Sequence, residues 1–360
     1  MRLDRLASET GQDMKLNEGF LDSMKEAFQL FQNGNSDAAA EIVKRAMRGD
    51  AAHAEHPAPE SRASRFTEPF KTPARAEPQP EVEDRGHFST RRYANAAGQR
   101  DYKLYVPSAY RNEPLPLVVM LHGCTQNADD FATGTQMNAL AERQPCIIAY
   151  PIQPQSANAS KCWNWFKPSD QQRDAGEPSL IAGITREIMA THNVDPKRVY
   201  IAGLSAGGAM AAILAQRYPD LYAAAGVHSG LPAGRAHDLP SALALMRGGE
   251  GKAAASGAPR CPLIVFHGDA DATVNHVNAR RVVEGFRASG PERRIAGVAG
   301  TRQHSVQQFI SPDGVPAELW TLHGAPHAWS GGSARGTYTD ASGPDASAEM
   351  LRFFFAHPKN

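Results

Sequence analysis

A short β-branched run, Val199-Tyr200-Ile201-Ala202, enters Gly203-Leu204-Ser205-Ala206-Gly207-Gly208 and leaves as the small-residue run Ala209-Met210-Ala211-Ala212-Ile213-Leu214-Ala215. Few stretches constrain a fold so tightly. The pattern predicts a strand, a sharp turn and a helix, with Ser205 at the apex of the turn. Glycines two before and two after the serine let strand and helix cross closely, and the turn puts the serine in a strained backbone conformation. The helix then directs its N-terminus at the hydroxyl, which favours negative charge developing there.

Around this stretch the chain alternates between apolar strand runs and helical runs. A β-hairpin is expected over 88–106, turning at Asn95-Ala-Ala-Gly98. Buried strands are expected near 117–121, 146–151, 198–204, 223–228, 262–267 and 318–323. Helices are expected near 135–143, 178–192, 206–217, 275–288 and 345–356. A long irregular loop over 153–177 carries Cys162-Trp163-Asn164-Trp165-Phe166. Alternation of this kind implies a mostly parallel, doubly wound α/β sheet. Before it, residues 1–48 read as a helical hairpin. Leu16, Phe20, Leu21, Met24, Ala27, Phe28 and Phe31 recur at helical spacing, and Ala39, Ile42, Val43 and Ala46 form a second set. Residues 49–85 are rich in Ala, Pro, Glu and Arg and read as a linker. The main domain is then 86–360.

Ligands of an open α/β sheet bind at the carboxyl ends of its strands, so the residues just beyond each strand matter most. Ser205 comes after one strand. His267-Gly-Asp269-Ala-Asp271-Ala-Thr-Val comes after another, and His323-Gly-Ala-Pro-His327-Ala-Trp329-Ser-Gly after a third. A nucleophile, an acid and a base in the order Ser, Asp, His is one of the known triad orders. Two aspartates and two histidines compete for their places. Asp269 lies in the tight His-Gly-Asp turn, where a carboxylate caps backbone N–H groups, so Asp271 is preferred. His323 is the histidine of a strand-terminal His-Gly pair, like His122 and His267, and a structural role is expected there. His327 lies beyond Pro326 in a Gly-flanked loop and is preferred as the base. His228, His276 and His304 have no comparable placement. The N–H groups of Ala206 and Cys124 are the expected oxyanion donors, each worth on the order of 3 kcal/mol in a transition state.

Four cysteines allow three pairings. Cys146 and Cys261 open strands, whereas Cys124 and Cys162 come after them, which puts the two pairs at opposite edges of the sheet. If a disulfide forms, it therefore joins Cys124 to Cys162. Trp163, Trp165 and Trp329 are expected at the catalytic edge as an apolar face for substrate. With 38 basic and 38 acidic residues the chain has no net charge, so nothing draws it to nucleic acid or anionic membranes. No apolar run is long enough to span a bilayer. Neither a metal cluster nor a phosphate loop is read in the sequence, and no cofactor is expected. The N-terminus lacks the apolar core of a secretory signal, which leaves the cytoplasm or export by a route the sequence does not show.

From about residue 101 to 357 the chain resembles the polyhydroxybutyrate depolymerase family of esterases, α/β-hydrolases related to some feruloyl and acetylxylan esterases. The resemblance rests on His122-Gly-Cys-Thr-Gln, Cys162-Trp-Asn-Trp-Phe, Gly203-Leu-Ser-Ala-Gly-Gly-Ala-Met, His267-Gly-Asp-Ala-Asp-Ala-Thr-Val and His327-Ala-Trp-Ser-Gly-Gly. It implies an α/β-hydrolase fold with Ser205, Asp271 and His327 as the triad, and Cys124 contributing to the oxyanion hole. The substrate it implies is an ester: hydroxyalkanoate polymer or oligomer in one reading, a feruloyl or acetyl ester of plant polysaccharide in a second. It also suggests the extracellular region. A third reading is a binding protein whose triad is vestigial and whose helical hairpin supplies the function.

Overall fold

A computed structural model describes residues 85–251, 260–297 and 300–359. The helical hairpin expected over 1–48 and the linker over 49–85 lie outside the described residues, apart from Arg85. The first strands, β1 (His87–Asn95) and β2 (Gly98–Val106), form the expected antiparallel hairpin. Then come β3 (Leu115–Leu121), α1 (Ala128–Thr135), α2 (Met137–Arg143), β4 (Ile147–Pro151), α3 (Gly176–Thr191), β5 (Val194–Leu204) and α4 (Ala206–Arg217). The second half continues with β6 (Ala224–His228), α5 (Leu239–Met246), β7 (Leu263–Gly268), α6 (Val277–Val282), β8 (Arg287–Ala288) and β9 (Arg293–Ile295). It closes with β10 (His304–Ile310), β11 (Pro316–Leu322), the short pair β12 (Trp329–Ser330) and β13 (Thr339–Asp340), and α7 (Ala346–Ala356).

The main sheet runs β1-β2-β4-β3-β5-β6-β7-β11-β10-β8, with β9 also paired to β10. From β4 to β11 every neighbouring pair is parallel, and antiparallel strands flank this centre on both sides. The architecture is an α/β-hydrolase fold. Successive side chains of a strand point to opposite faces, so each central strand feeds two cores. Leu117, Val119 and Leu121 join Val199 and Ile201 under α3 and α4, while Val118 and Met120 join Tyr200 and Ala202 under α1, α2 and α7. Both faces being covered is why these strands are continuous apolar runs rather than alternating ones.

Two local expectations are corrected, and a strand is found where none was expected. The helix expected near 135–143 is two helices broken at Gln136, whose φ of 55° is left-handed. The helix expected over 275–288 ends at Val282, and Arg287–Ala288 pairs with β10 instead. β10, where the sequence reading placed no strand, is half-buried and near the sheet edge, and its mixed sequence carries a weak strand signal.

The crossing that positions the elbow is tight. A Cβ on Gly207 would overlap the carbonyl oxygens of Leu121 and His122, and one on Gly203 would overlap the backbone of Gly207. The start of α4 therefore lies directly against the ends of β5 and β3. A disulfide joins Cys124 to Cys162 and fastens the 153–177 loop to the end of β3. Cys146 and Cys261 are free and buried, and burial pushes both thiols up to about 12.

Two outcomes are expected. Gly207→Ala should cost about 3 kcal/mol or more in denaturant unfolding, as overpacking against backbone that cannot yield, while Gly290→Ala, with open space around its Cβ, should change stability by less than about 0.5 kcal/mol. A thiol reagent should modify no cysteine rapidly in the native oxidised protein, only Cys146 and Cys261 after denaturation without reductant, and all four after reduction.

Candidate active site

Ser205 stands between β5 and α4 with φ 57° and ψ −118°. That conformation is strained for a residue with a Cβ and persists only when its surroundings enforce it. The enforcement is visible. The Ser205 N–H donates to His228 O at 2.9 Å, its carbonyl accepts from Ala209 N–H at 2.9 Å, and the glycine crossing closes the turn on both sides.

Asp271 lies in the loop after β7, and its side chain is fully buried. Oδ1 accepts the N–H groups of Thr273 at 2.9 Å and Val274 at 2.8 Å, and Oδ2 faces His327 Nδ1 at 2.7 Å and His267 Nε2 at 3.3 Å. Burial on its own would raise this carboxyl. Hydrogen bonds from His267 and His327, and their charge, outweigh it and hold the group well below the usual carboxylate range. With Asp271 ionised, His327 Nδ1 carries the proton and donates it, so Nε2 is left as the ring's acceptor. The loop carrying His327 passes close over the end of β7, because a Cβ on Gly268 would overlap the Ala325 carbonyl. Ser205 Oγ makes no side-chain hydrogen bond among the described residues, so its link to His327 Nε2 is not closed at hydrogen-bonding distance. Catalytic hydrogen bonds in unliganded sites are often long and tighten only with substrate.

The competing residues pair with each other. Asp269 accepts the Gly324 N–H at 2.6 Å and faces His323 Nδ1 at 2.9 Å, while His323 Nε2 meets Ser305 Oγ at 2.9 Å. This second Ser–His–Asp chain lacks the elbow: Ser305 is a buried residue of β10 in ordinary strand geometry, paired across to Thr321.

The turn that carries Cys124 comes directly after β3. The N–H groups of Cys124 and Ala206 find no acceptor among the described residues, although their neighbours do. Gly123 N–H donates to Gln126 Oε1 at 2.9 Å and Thr125 N–H to Ser160 O at 2.7 Å. Buried Gln126 is fixed in turn by Asp130 and Thr337, through 2.8 and 3.1 Å bonds from its amide. His122 is structural, as expected: Nδ1 bonds Gly123 O at 2.8 Å and Nε2 accepts Gln153 N–H at 3.1 Å. Burial lowers it to about 4.

The tryptophans correct the sequence reading. Trp163 and Trp329 have no exposed surface, and Trp165 is only 6% exposed. Trp163 spends its indole N–H on His122 O at 3.1 Å, and Trp329 gives its own to Ser347 Oγ at 3.0 Å while packing edge-on to Phe131. A ring without accessible surface presents no face to a ligand in this conformation. Trp163 instead bonds to the turn after β3, through His122 O.

Sequence reasoning gave no role to two supporting residues, Gln126 beneath the turn after β3 and His228 between the elbow and the His327 loop. His267, expected to be structural, stands beside Asp271. No periodicity marks them, because Gln126 and His267 act through loop contacts three and four residues away, and His228 through contacts with Ser330 and Ser205 far off in sequence. Among the described residues, no group of three or more His, Cys, Asp or Glu is placed to hold a metal ion.

Against this geometry, a family model described as Esterase PHB depolymerase matches residues 100–304, more than half of the chain. The chain is 34% identical over 229 residues to poly(3-hydroxyalkanoate) depolymerase C of Paucimonas lemoignei, covering 59% of this chain and 54% of that protein. It is 34% identical over 142 residues to the probable acetylxylan esterase A of Aspergillus fumigatus, covering 39% of this chain and 37% of that protein. The chain thus spans about half the length, or less, of these curated relatives. The solved acetyl xylan esterase from Aspergillus awamori superposes with a TM-score of 0.57 at 20% identity, over 74% of this chain and 99% of that one. At that identity the likeness speaks for the fold.

Proposed function

Because the chain belongs to the PHB depolymerase family of esterases, we propose that residues 86–360 form a serine carboxylester hydrolase working through an acyl-enzyme. Ser205 Oγ attacks the ester carbonyl and passes its proton to His327 Nε2. Asp271 holds the tautomer and stabilises the imidazolium. The oxyanion forms between the N–H groups of Cys124 and Ala206, at the N-terminus of α4, where donors and helix dipole point at the developing charge. His327 then returns the proton to the leaving alkoxide, and water attacks the acyl-enzyme by the same route in reverse. The observation that carries the reading is the buried Asp271–His327 pair at 2.7 Å, on the edge of the sheet where the strained Ser205 sits.

The substrate read first is a hydroxyalkanoate polyester or its oligomers, supported by the family and by the match to the depolymerase. A feruloyl- or acetylxylan-type ester is the second reading, supported by the match to the acetylxylan esterase. A non-catalytic protein with a vestigial triad is disfavoured by the tightness of the Asp271–His327 pair.

A fluorophosphonate should label Ser205, and Ser205→Ala should abolish both labelling and ester hydrolysis. Asp271→Asn should lower kcat by about 10⁴-fold, the cost of the wrong tautomer, while Asp269→Asn should stay within about threefold of the parent, having no part in this pair. Turnover of 3-hydroxybutyrate oligomers should exceed that of feruloyl and acetylxylan esters. The reverse ranking would move the chain to the second reading, and an unlabelled Ser205 would remove the hydrolase reading altogether.

A further inference from the structure

His228 is the last residue of β6, between the strand that ends at the elbow and the strand that leads to Asp271. It pairs with Leu204 on one side and Phe266 on the other. It has no exposed surface, and the mechanism above gives it no chemical step. Its contacts nonetheless reach both halves of the site. The backbone oxygen accepts the Ser205 N–H at 2.9 Å. The imidazole Nε2 accepts the Ser330 N–H at 2.9 Å, three residues beyond His327. The ring stacks on Phe266, with centroids 5.7 Å apart and planes 12° apart, and on Trp329, at 5.1 Å and 25°.

These partners fix the proton. A backbone N–H can only donate, so Nε2 is bare and Nδ1 carries the hydrogen, within 3.2 Å of Ser229 Oγ. Burial, and after it the neighbouring His267 and His327, lowers His228 to about 3, with Asp271 opposing. The ring is therefore neutral and keeps its acceptor throughout the neutral range. The far side of the 329–331 segment is held by other bonds: Trp329 N–H to Tyr338 O at 2.6 Å, Gly331 N–H to Asp340 O at 2.8 Å and Ser330 Oγ to Pro344 O at 2.7 Å. Those bonds tie the segment to residues 338–344. The His228 bond ties it to the strand beside the elbow.

We propose that His228 is a positioning residue: one side chain and its own carbonyl couple the elbow backbone to the His327 loop and so set the approach of Ser205 to His327. Asp271 fixes the histidine ring at Nδ1, and His228 fixes the backbone that carries the ring. Loss of the acceptor lets the loop relax by a fraction of an ångström to an ångström without unfolding it, because Tyr338, Asp340 and Pro344 still hold its outer side. A misplacement of about 1 Å between nucleophile and base costs on the order of 100-fold in rate.

This inference rests on the hydrolase reading, and its test separates the two. His228→Phe keeps an aromatic stack and removes the acceptor, while His228→Gln supplies a carbonyl acceptor without the ring. With a small soluble ester, His228→Phe should lower kcat about 100-fold with KM within about twofold, and fluorophosphonate labelling of Ser205 should slow in parallel. His228→Gln should recover to within about tenfold of the parent. A His228→Phe protein with parental kcat, or a folded His228→Gln no better than a folded His228→Phe, overturns the proposal. Should either variant fail to fold, the parent protein decides through its ¹⁵N-histidine spectra. At least two non-titrating Nδ1–H rings are expected, His122 and His228, and fewer than two overturns the proposal. If the parent does not label at Ser205, the hydrolase reading fails, while the spectra still report whether the His228 bond exists.

Discussion

The contact between the first turn of α4 and the ends of β3 and β5 governs the rest of the structure. Only glycine fits at 203 and 207, because any Cβ there would meet backbone rather than a side chain that can swing away. That closeness holds Ser205 in a conformation it would otherwise leave. It also brings the N-terminus of the helix to the turn after β3. Everything else at the site is arranged around a point that this contact defines.

Two aspartate–histidine pairs stand on neighbouring loops at the same sheet edge, and their surroundings divide their roles. Asp271 is enclosed, takes two backbone N–H groups and two imidazoles, and has no exposed side-chain surface, whereas Asp269 and His323 are partly exposed. An exposed pair is screened by solvent and orients little. An enclosed one has a single geometry and keeps its charge where it is needed. Asp271 is thus suited to hold a base in one tautomer, and Asp269 to tie the end of β11 to the turn after β7.

The elbow and the parallel sheet were legible because they depend on local chemistry, a glycine pair around a serine and the alternation of strand and helix runs. The local reason for setting Asp269 aside, by contrast, was not met: Asp269 accepts the N–H of Gly324 on another loop, and it is Asp271 that caps the N–H groups of its own turn. The Cys124–Cys162 pairing was legible for a related reason, since strand direction alone sorts the cysteines to two edges. The tryptophans were misread on the same logic. Lying in loops at the right edge says nothing about which way an indole turns, and Trp163 and Trp329 turn inward to satisfy His122 and Ser347. The 275–288 stretch was misread because its helical periodicity is real as far as Val282, beyond which the open edge of β10 offers strand partners that no window of sequence contains.

What the amino-acid order determined by itself is therefore which residues can do chemistry and at which end of which strand they stand, because strand direction and turn chemistry are set within a few neighbours. What only the tertiary structure decided is how those ends are held against one another: His228 between two strands and a loop, Gln126 under a peptide, His267 behind a carboxylate. These are buried polar side chains, and most of what they hold together lies far apart in sequence. Their value comes from satisfying hydrogen bonds that no water reaches, and such bonds exist only once the chain has closed around them.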